Sequence, residues 1–381
     1  MIGKDEKLKR ALVWLPAKLY ELAVRLRIAV YETSYRTPRR LEVTTIGVGN
    51  ITLGGTGKTP LVEYIARYLL SEAHRVAILT RGYGRQSAGM QTLNVPRPSI
   101  NNPRDEQESA AANRRSYREV GDEPLMLARA LPDVPIVIHK DRFQAGQWAA
   151  SATGADVLVL DDAYQHLQLA RDLNILLIDA SDPFGGFEMA PFGRLREPLY
   201  GIKRADLVIV TRADRPFDQA QTQAIIRHFC GDKIPVMYVT SGITRLRHLE
   251  TGAIYNLQDF SGWKAAALCG IGNPHAFAED ILQVGIHIVS ESFFRDHHPF
   301  TQADLDRASA AARQAAADMM ITTEKDAVRL EGLRHGAVPV YVAQMEIQSD
   351  DEIRLKSLLL RTVTRKKGAG GRRQEAVQER D

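Results

Sequence analysis

The sequence predicts an α/β protein: a doubly wound, mostly parallel sheet carrying a P-loop, joined by a two-stranded linker to a second, smaller α/β domain. Three observations carry that prediction. From Val43 onward, short runs rich in Val, Ile and Leu alternate with helical patterns. The first run leads into Gly54-Gly55-Thr56-Gly57-Lys58-Thr59 and then a helix. A turn-marked two-stranded stretch at 244–262 separates this series from another of the same kind.

The segment before the first strand, 1–40, reads as helical from Leu8 to Tyr35. Lys18, Glu21 and Arg25 share one helical face. Leu15, Leu19, Leu22, Ala23, Leu26 and Val30 make an apolar band, with Trp14, Tyr20 and Tyr31 beside it. Basic flanks, aromatic rings and a wide apolar band describe a helix that can lie among lipid headgroups. The alternative is a helix docked by that band on the protein's own core.

Residues 41–243 form the expected P-loop domain. Its strands are expected at 43–48, 75–80, 135–139, 156–161, 174–179, 207–211 and 236–240. None alternates with polar residues, as expected for parallel strands covered on both faces. Between Arg85 and Val120 several Pro and Asn residues and the run Arg104–Ala112 describe a mobile excursion over the active-site end of the sheet. Strands at 244–249 and 253–257 make the linker. The smaller domain, 263–363, has strands expected at 265–269, 287–290, 320–322 and 338–342. The tail, 364–381, with Gly368-Ala369-Gly370-Gly371 among charges, reads as disordered.

Composition narrows the function. The chain has 381 residues, 44% hydrophobic and 25% charged, the balance of a soluble globular protein. Two cysteines, far apart, argue against a disulfide framework or a structural zinc site and fit a reducing cytoplasm. No signal peptide or uncharged run of transmembrane length is evident. The net charge of +4 divides into +6 over residues 1–40, +3 over 365–381 and −5 over the rest. Basic charge confined to the ends argues against a nucleic-acid surface and for terminal contacts with something anionic. No obligate protein partner is indicated.

The glycine-rich loop carries the strongest chemical signal. Its glycines let backbone N–H groups approach phosphate oxygens, and the following helix adds its positive end. Lys58 can reach the β- and γ-phosphates of a nucleoside triphosphate, and the Thr59 hydroxyl can ligate Mg²⁺. Thr52 stands where the usual motif begins with glycine. Asp161-Asp162, at the C-terminal end of an apolar strand, supplies the second Mg²⁺ ligand, with either aspartate eligible.

Other residues admit two readings. Asp122 opens a helix and reads locally as its N-cap; its chemical role would be general base toward an acceptor hydroxyl. Asp296-His297-His298 could position an imidazole for proton transfer or form a surface loop. Arg81-Gly82-Tyr83-Gly84-Arg85 follows the second strand, where arginines suit phosphate contacts. Arg194 and Arg196, with Glu197, repeat that pattern after Phe184–Gly193.

Together these segments resemble the tetraacyldisaccharide 4'-kinase family, the lipid A 4'-kinases of Gram-negative bacteria. The resemblance rests on Val48-Gly49-Asn50 through Pro60, Arg81–Arg85, Val120–Pro124, Asp161–Leu167, Arg171-Asp172-Leu173, Leu195–Leu199, Gly270–Pro274, Asp296-His297-His298 and Thr322–Ala327, in the family's order. It implies transfer of the ATP γ-phosphate to the 4'-hydroxyl of a tetraacylated glucosamine disaccharide 1-phosphate, giving lipid IVA. It implies that Asp122 acts as base paired with His297, and that Thr52, Leu53, Gly54, Gly55, Thr56, Gly57, Lys58 and Thr59 bind ATP. It places Thr59, Asp161, Asp162 and Glu197 around Mg²⁺, and Arg81, Tyr83, Gly84, Arg85, Gln165 and His166 at the acceptor. Thr52 is shared with the family. Two departures are a longer excursion, by about Asn94–Ser116, and the Phe184–Gly193 segment, where the family more often has a Gly-Asn-Gly…Leu-Pro run.

A substrate with four acyl chains stays in a bilayer, so the resemblance implies a peripheral enzyme on the cytoplasmic face of the inner membrane. The basic amphipathic N-terminus suits that, each Lys or Arg near an anionic leaflet contributing about 1 kcal/mol. The rivals are a membrane-associated P-loop ATPase switch, against which Leu53 counts because such switches carry lysine there, and a soluble small-molecule kinase.

Overall fold

The computed structural model describes residues 4–95, 116–349 and 351–378, with side chains from 14 to 366 within those bounds. Most of the excursion, including Arg104–Ala112, lies outside the described residues. The chain begins with α1 (Lys4–Glu32), which precedes the first sheet. Then follow β1 (Thr44–Asn50), α2 (Lys58–Ser71), β2 (Val76–Thr80), β3 (Gln91–Leu93), α3 (Tyr117–Val120), α4 (Asp122–Ala130), β4 (Ile136–Ile138), α5 (Arg142–Thr153), β5 (Val157–Leu160), β6 (Leu173–Asp179), β7 (Leu207–Thr211), α6 (Gln219–Cys230) and β8 (Val236–Tyr238).

These strands form one eight-stranded sheet in the order β3-β4-β2-β5-β1-β6-β7-β8. All neighbours are parallel except β3, which runs antiparallel to β4 at the edge. The strand order reverses at β1: β2, β4 and β5 lie to one side and β6–β8 to the other. Such a switch point opens a crevice at the strands' C-terminal ends. The central strands are buried along their whole length, which explains their unbroken Val/Ile/Leu composition. The edge strand β3, inside the excursion, escapes a sequence reading because three residues carry no usable pattern.

The second unit comprises β9 (Thr240–His248), β10 (Ile254–Asn256), β11 (Lys264–Cys269), α7 (Pro274–Gln283), β12 (His287–Phe293), α8 (Gln302–Gln314), β13 (Met319–Thr323), α9 (Glu324–Ala327) and β14 (Val340–Gln348). Its sheet runs β10-β9-β14-β13-β11-β12. The hairpin expected as a two-stranded linker, β9 with β10, lies at the edge of this sheet. β14 is longer than the sequence suggests because it pairs antiparallel with β9 throughout, from Tyr341↔His248 to Gln348↔Thr240. The chain passes between units along these two paired strands.

Two boundaries differ from expectation. α10 (Glu352–Gln378) follows β14 and returns to the first unit, where Leu355, Leu359 and Val363 join the core over β1 and α2. Lys366 Nζ lies 3.1 Å from Asp172 Oδ1 there. The second unit thus ends near 348, and the segment from 364, expected as disordered, continues as helix to Gln378. Its first turns are nucleated by packing, after which each added residue gains a hydrogen bond without a new nucleation cost.

The N-terminal helix also corrects a reading. Its inner face is narrow, with Ala17 and Ile28 buried. Leu15, Leu19, Leu22 and Leu26 face away from the protein, each more than half exposed. The helix is not docked by its apolar band. No helix of the described residues is long and apolar enough to cross a membrane.

Leu359 is fully buried. Leu359→Ala should lower stability by about 2–5 kcal/mol in denaturant unfolding. A loss under 1 kcal/mol would show that α10 does not dock as described.

Candidate active site

The phosphate loop joins β1 to α2 at the switch point. Its carbonyls are held by surrounding residues: Arg194 Nη2 donates to Leu53 O at 2.8 Å, Arg212 Nη1 to Gly55 O at 3.2 Å and Thr211 Oγ1 to Thr56 O at 3.2 Å. Leu53 N–H donates to Arg194 O at 2.6 Å. Gly57 caps α2 with φ 79°, a left-handed conformation that favours glycine. The first N–H groups of α2 have no intrahelical acceptor, as at any helix start, so the loop presents donors to an anion. Lys58 Nζ donates to Asn50 Oδ1 at 3.2 Å and lies 3.5 Å from Asp162 Oδ1. Thr52 is buried beside Leu195.

Asp161 is fully buried at the end of β5. Thr80 Oγ1 donates to its Oδ2 at 3.1 Å, and Oδ1 has no partner. Burial, with Glu123 and Asp162 adding negative charge, pushes the carboxyl up to about 7 against the pull of Lys58 and Arg142. An orphaned buried carboxylate oxygen beside a phosphate loop is a site that wants a cation. The residues fit Mg²⁺ held by one carboxylate and the Thr59 hydroxyl, with water and phosphate oxygens completing the shell. Burial raises Asp162 too, but Lys58 and Arg196 outweigh it and hold its pKa low. Arg196 Nη1 binds both Asp162 oxygens, at 2.9 and 3.0 Å.

Glu197 does not belong with that pair. Arg204 Nη2 binds both its oxygens, at 2.8 and 2.7 Å, and Gln165 Nε2 donates to Oε1 at 3.0 Å. Its charge is paired with that of Arg204 within the fold. Gln165 Nε2 also donates to Asn50 O at 2.7 Å, so this amide braces the loop instead of facing an acceptor. His166 has a buried, unpartnered Nε2. Burial and the nearby Arg142, Arg171 and Arg27 push its pKa down to about 4.

The Arg81–Arg85 turn divides in two. Arg81 and Tyr83 are exposed, with the Tyr83 ring 5.9 Å from that of His297. Gly82 (φ 67°) sits where a Cβ would lie 2.5 Å from Ile138 Cγ2, so only glycine fits. Gly84 turns the chain with φ 75°. Arg85 donates from its guanidinium to the carbonyls of Ile138, at the end of β4, and Gly89, just before β3, at 3.1 and 2.7 Å.

Asp122 is the first residue of α4; the cap is Gly121, so the capping reading fails. Its carboxylate instead reaches the second unit. His297 Nδ1 lies 2.9 Å from Oδ2, and Arg329 donates to the same oxygen through Nε at 3.1 Å and through Nη2. Burial would raise the Asp122 pKa, but the His297 hydrogen bond and the charges of Lys325 and Arg329 hold it well below the usual carboxylate range. His298 points elsewhere: its Nε2 pairs with Asp304 Oδ2 at 3.1 Å, and its ring stacks on Phe294.

Sequence reasoning missed Arg329, Asn50 and Arg212. Arg329 lies three residues after Asp326, in the turn that follows α9, but one arginine in Val328-Arg329-Leu330 gives no signal until the units are assembled. Asn50 ends an apolar strand, and its contact with Lys58 spans the loop.

A phosphate loop at the switch point of a parallel sheet, a cation-seeking aspartate behind it and an Asp–His pair across two units define a P-loop phosphotransferase. The family model described as Tetraacyldisaccharide-1-P 4'-kinase matches residues 9–364. A tetraacyldisaccharide 4'-kinase from Geobacter sulfurreducens is 36% identical over 364 residues, 94% of each chain. One from Geobacter metallireducens is 38% identical over 346 residues, 91% of this chain and 96% of that one. A crystal structure of LpxK from Aquifex aeolicus in complex with ATP is similar with a TM-score of 0.71 at 28% identity, over 93% of this chain and 99% of that one. The chain belongs to the tetraacyldisaccharide-1-phosphate 4'-kinase family.

His166 gives a pH prediction. From its unfolded value near 6.5 down to about 4, the unfolded chain binds a proton that the folded chain excludes. Acidification through that window should therefore destabilise the fold, by on the order of 2 kcal/mol from this group. His166→Gln should flatten the dependence of melting temperature on pH there; an unchanged slope would refute the assignment.

Proposed function

We propose that this chain transfers the γ-phosphate of ATP to the 4'-hydroxyl of a tetraacylated glucosamine disaccharide 1-phosphate, forming lipid IVA, at the cytoplasmic face of an inner membrane. The observation that carries the reading is the Asp122–His297 pair, contributed by both units beside a phosphate loop of the matching family. N–H groups from Gly54 to Thr59 and the Lys58 ammonium hold the triphosphate. Asp161 and the Thr59 hydroxyl would hold Mg²⁺, which when bound neutralises charge on the phosphates. Asp162 keeps Lys58 and Arg196 in place. Arg81 and Tyr83 face the acceptor. The hydroxyl oxygen bonds to the γ-phosphorus, the bond to the β-phosphate oxygen breaks, ADP leaves, and the Asp122–His297 pair takes the hydroxyl proton.

The membrane reading is supported by α1. Its inner face is tied to the site: Tyr20 donates its hydroxyl to Arg196 O and Arg27 Nη2 donates to Gln165 O, both at 3.2 Å. Between the helix and the segment from Phe187 to Tyr200 lies a cleft of about 920 Å³, lined by Trp14, Met189, Phe192 and Leu199 with Lys18 and Arg25 at hand. That lining suits acyl chains beside an anionic headgroup. The outward leucines suit the bilayer that delivers them.

The test of function is label transfer from γ-labelled ATP to tetraacyldisaccharide 1-phosphate in detergent micelles. Labelled glycolipid is expected, and none with Lys58→Ala. ATP hydrolysis without transfer would favour the ATPase switch. Asp122→Ala should lower turnover by roughly 10²–10⁴-fold with ATP affinity little changed; near-full turnover would refute its role.

Deleting α1 would also strip contacts from Arg196 and Gln165, so surface changes test the membrane reading more cleanly. Replacing Leu15, Leu19, Leu22 and Leu26 with serine should weaken sedimentation with anionic vesicles at least tenfold, each leucine contributing about 1 kcal/mol or more in lipid. ATP binding should not change. Vesicle binding unaffected by these changes would contradict the reading.

A further inference from the structure

Two arginines flank the start of the phosphate loop, and they are held differently. Arg194-Leu195-Arg196 runs antiparallel beside Ile51-Thr52-Leu53. Leu53 N–H donates to Arg194 O at 2.6 Å, Arg196 N–H donates to Ile51 O at 2.7 Å, and Thr52 pairs with Leu195 between them. Arg196 is locked: its Nη1 binds both oxygens of Asp162, which offsets its charge, and its side chain is 23% exposed. Arg194 is held more loosely. Its Nη2 donates to Leu53 O at 2.8 Å, its Nη1 donates to Asp182 Oδ2 at 3.1 Å, and its side chain is 53% exposed. A guanidinium carries five N–H donors, and the others on Arg194 have no partner among the described residues.

The guanidinium of Arg194 lies over Gly54, where an added Cβ would run into Nη2. The Lys58 ammonium comes to the same end of the loop. It donates to Asn50 Oδ1 at 3.2 Å, and Asn50 Nδ2 donates to Thr52 O at 2.8 Å. Asp162, 3.5 Å from Lys58, stands there too. The lysine of a phosphate loop meets the β- and γ-phosphates, so the stretch from Thr52 to Gly54 marks the γ-phosphate end of the bound triphosphate.

The Phe184–Gly193 segment builds a firm base for this side chain. Gly185 O accepts the Arg194 N–H at 2.7 Å, Asp182 Oδ1 accepts the Gly186 N–H at 3.3 Å, and Phe184 and Leu195 are buried in one apolar cluster. The backbone of Arg194 is fixed while its guanidinium stands half in solvent beside the loop. Met189 and Phe192 of the same segment line the acyl cleft, so one segment faces both the nucleotide loop and the acceptor's side. A phosphoryl group in transfer spreads charge over its oxygens, and a donor aimed there gains strength as the reaction proceeds. The planar fork of arginine can keep one N–H on Leu53 O and offer others to a phosphate.

We propose that Arg194 is a catalytic residue that contacts the γ-phosphate of ATP and stabilises the charge that develops there during transfer. When ATP is bound, Nη1 leaves Asp182 for a γ-phosphate oxygen and Nη2 stays on Leu53 O. As the acceptor oxygen bonds to the γ-phosphorus, the bond to the β–γ bridging oxygen breaks, and that oxygen leaves on ADP with the electron pair. The Asp122–His297 pair takes the hydroxyl proton. Arg194 gives up no proton; it donates hydrogen bonds throughout and returns to Asp182 when the products leave.

This inference rests on the kinase reading, which label transfer by the wild-type chain establishes separately before any variant is compared. The first arm is kinetic. Arg194→Gln should lower kcat about 10²–10³-fold with KM for ATP within about threefold. The second arm needs no turnover: MgADP is titrated alone and with aluminium fluoride, which stands in for the transferring phosphoryl group, with the disaccharide acceptor present in detergent micelles. The wild-type chain should bind the fluoride complex more tightly than MgADP. Arg194→Gln should lose about tenfold or more of that gain, with affinity for MgADP within about twofold of wild type. Arg194→Lys, which keeps the charge and a donor for Leu53 O, should fall between the two in both arms. Wild-type kcat in Arg194→Gln would overturn the proposal. So would equal weakening of MgADP and its fluoride complex, which would make Arg194 a brace of the loop alone. Thermal melting checks the folding of each variant, and should Arg194→Gln not fold, Arg194→Lys decides by the same measurements.

Discussion

One buried carboxylate ties the two units of this protein together. Asp122 comes from the first unit, and three of its four hydrogen bonds come from the second, through His297 and Arg329. Removing either partner while the carboxylate stays buried would cost several kcal/mol. Val328, next to Arg329, is buried in the first unit's core and adds apolar surface to the same junction. The site is therefore complete only when both units meet.

The phosphate loop is built on a different principle. The sheet order reverses at β1 and leaves a crevice, and the loop is shaped by residues that hold its carbonyls: Arg194, Arg212 and Thr211. With carbonyls so engaged, the N–H groups are left for a phosphate. The charges behind the loop are sorted by environment. Asp162 is paired and stays ionised, Asp161 is buried with an oxygen unmet, and Glu197 is neutralised by Arg204. These three acids thus differ in their partners, and of the three it is Asp161 that has an oxygen without one.

Much of this was legible in the sequence, for physical reasons that differ by element. The parallel strands were readable because burial on both faces demands unbroken apolar runs. The phosphate loop was readable because its chemistry needs glycines, a lysine and a helix start in contiguous order. β3 was not, since three residues at an antiparallel edge have no period. The fate of α10 was hidden because Leu355, Leu359 and Val363 do not say which unit they pack on. The partners of Glu197, Gln165 and Arg85 were hidden for one shared reason: a polar side chain near a site looks the same in sequence whether it faces ligand or braces the backbone. Arg329 lies more than two hundred positions from Asp122, and only the assembled junction brings them together.

The most direct test is a crystal structure of the chain with a non-hydrolysable ATP analogue and the disaccharide acceptor. The account predicts the acceptor hydroxyl within about 2.6–3.2 Å of the Asp122–His297 pair, with the triphosphate on the Gly54–Thr59 loop. An acceptor hydroxyl bound away from that pair would contradict it.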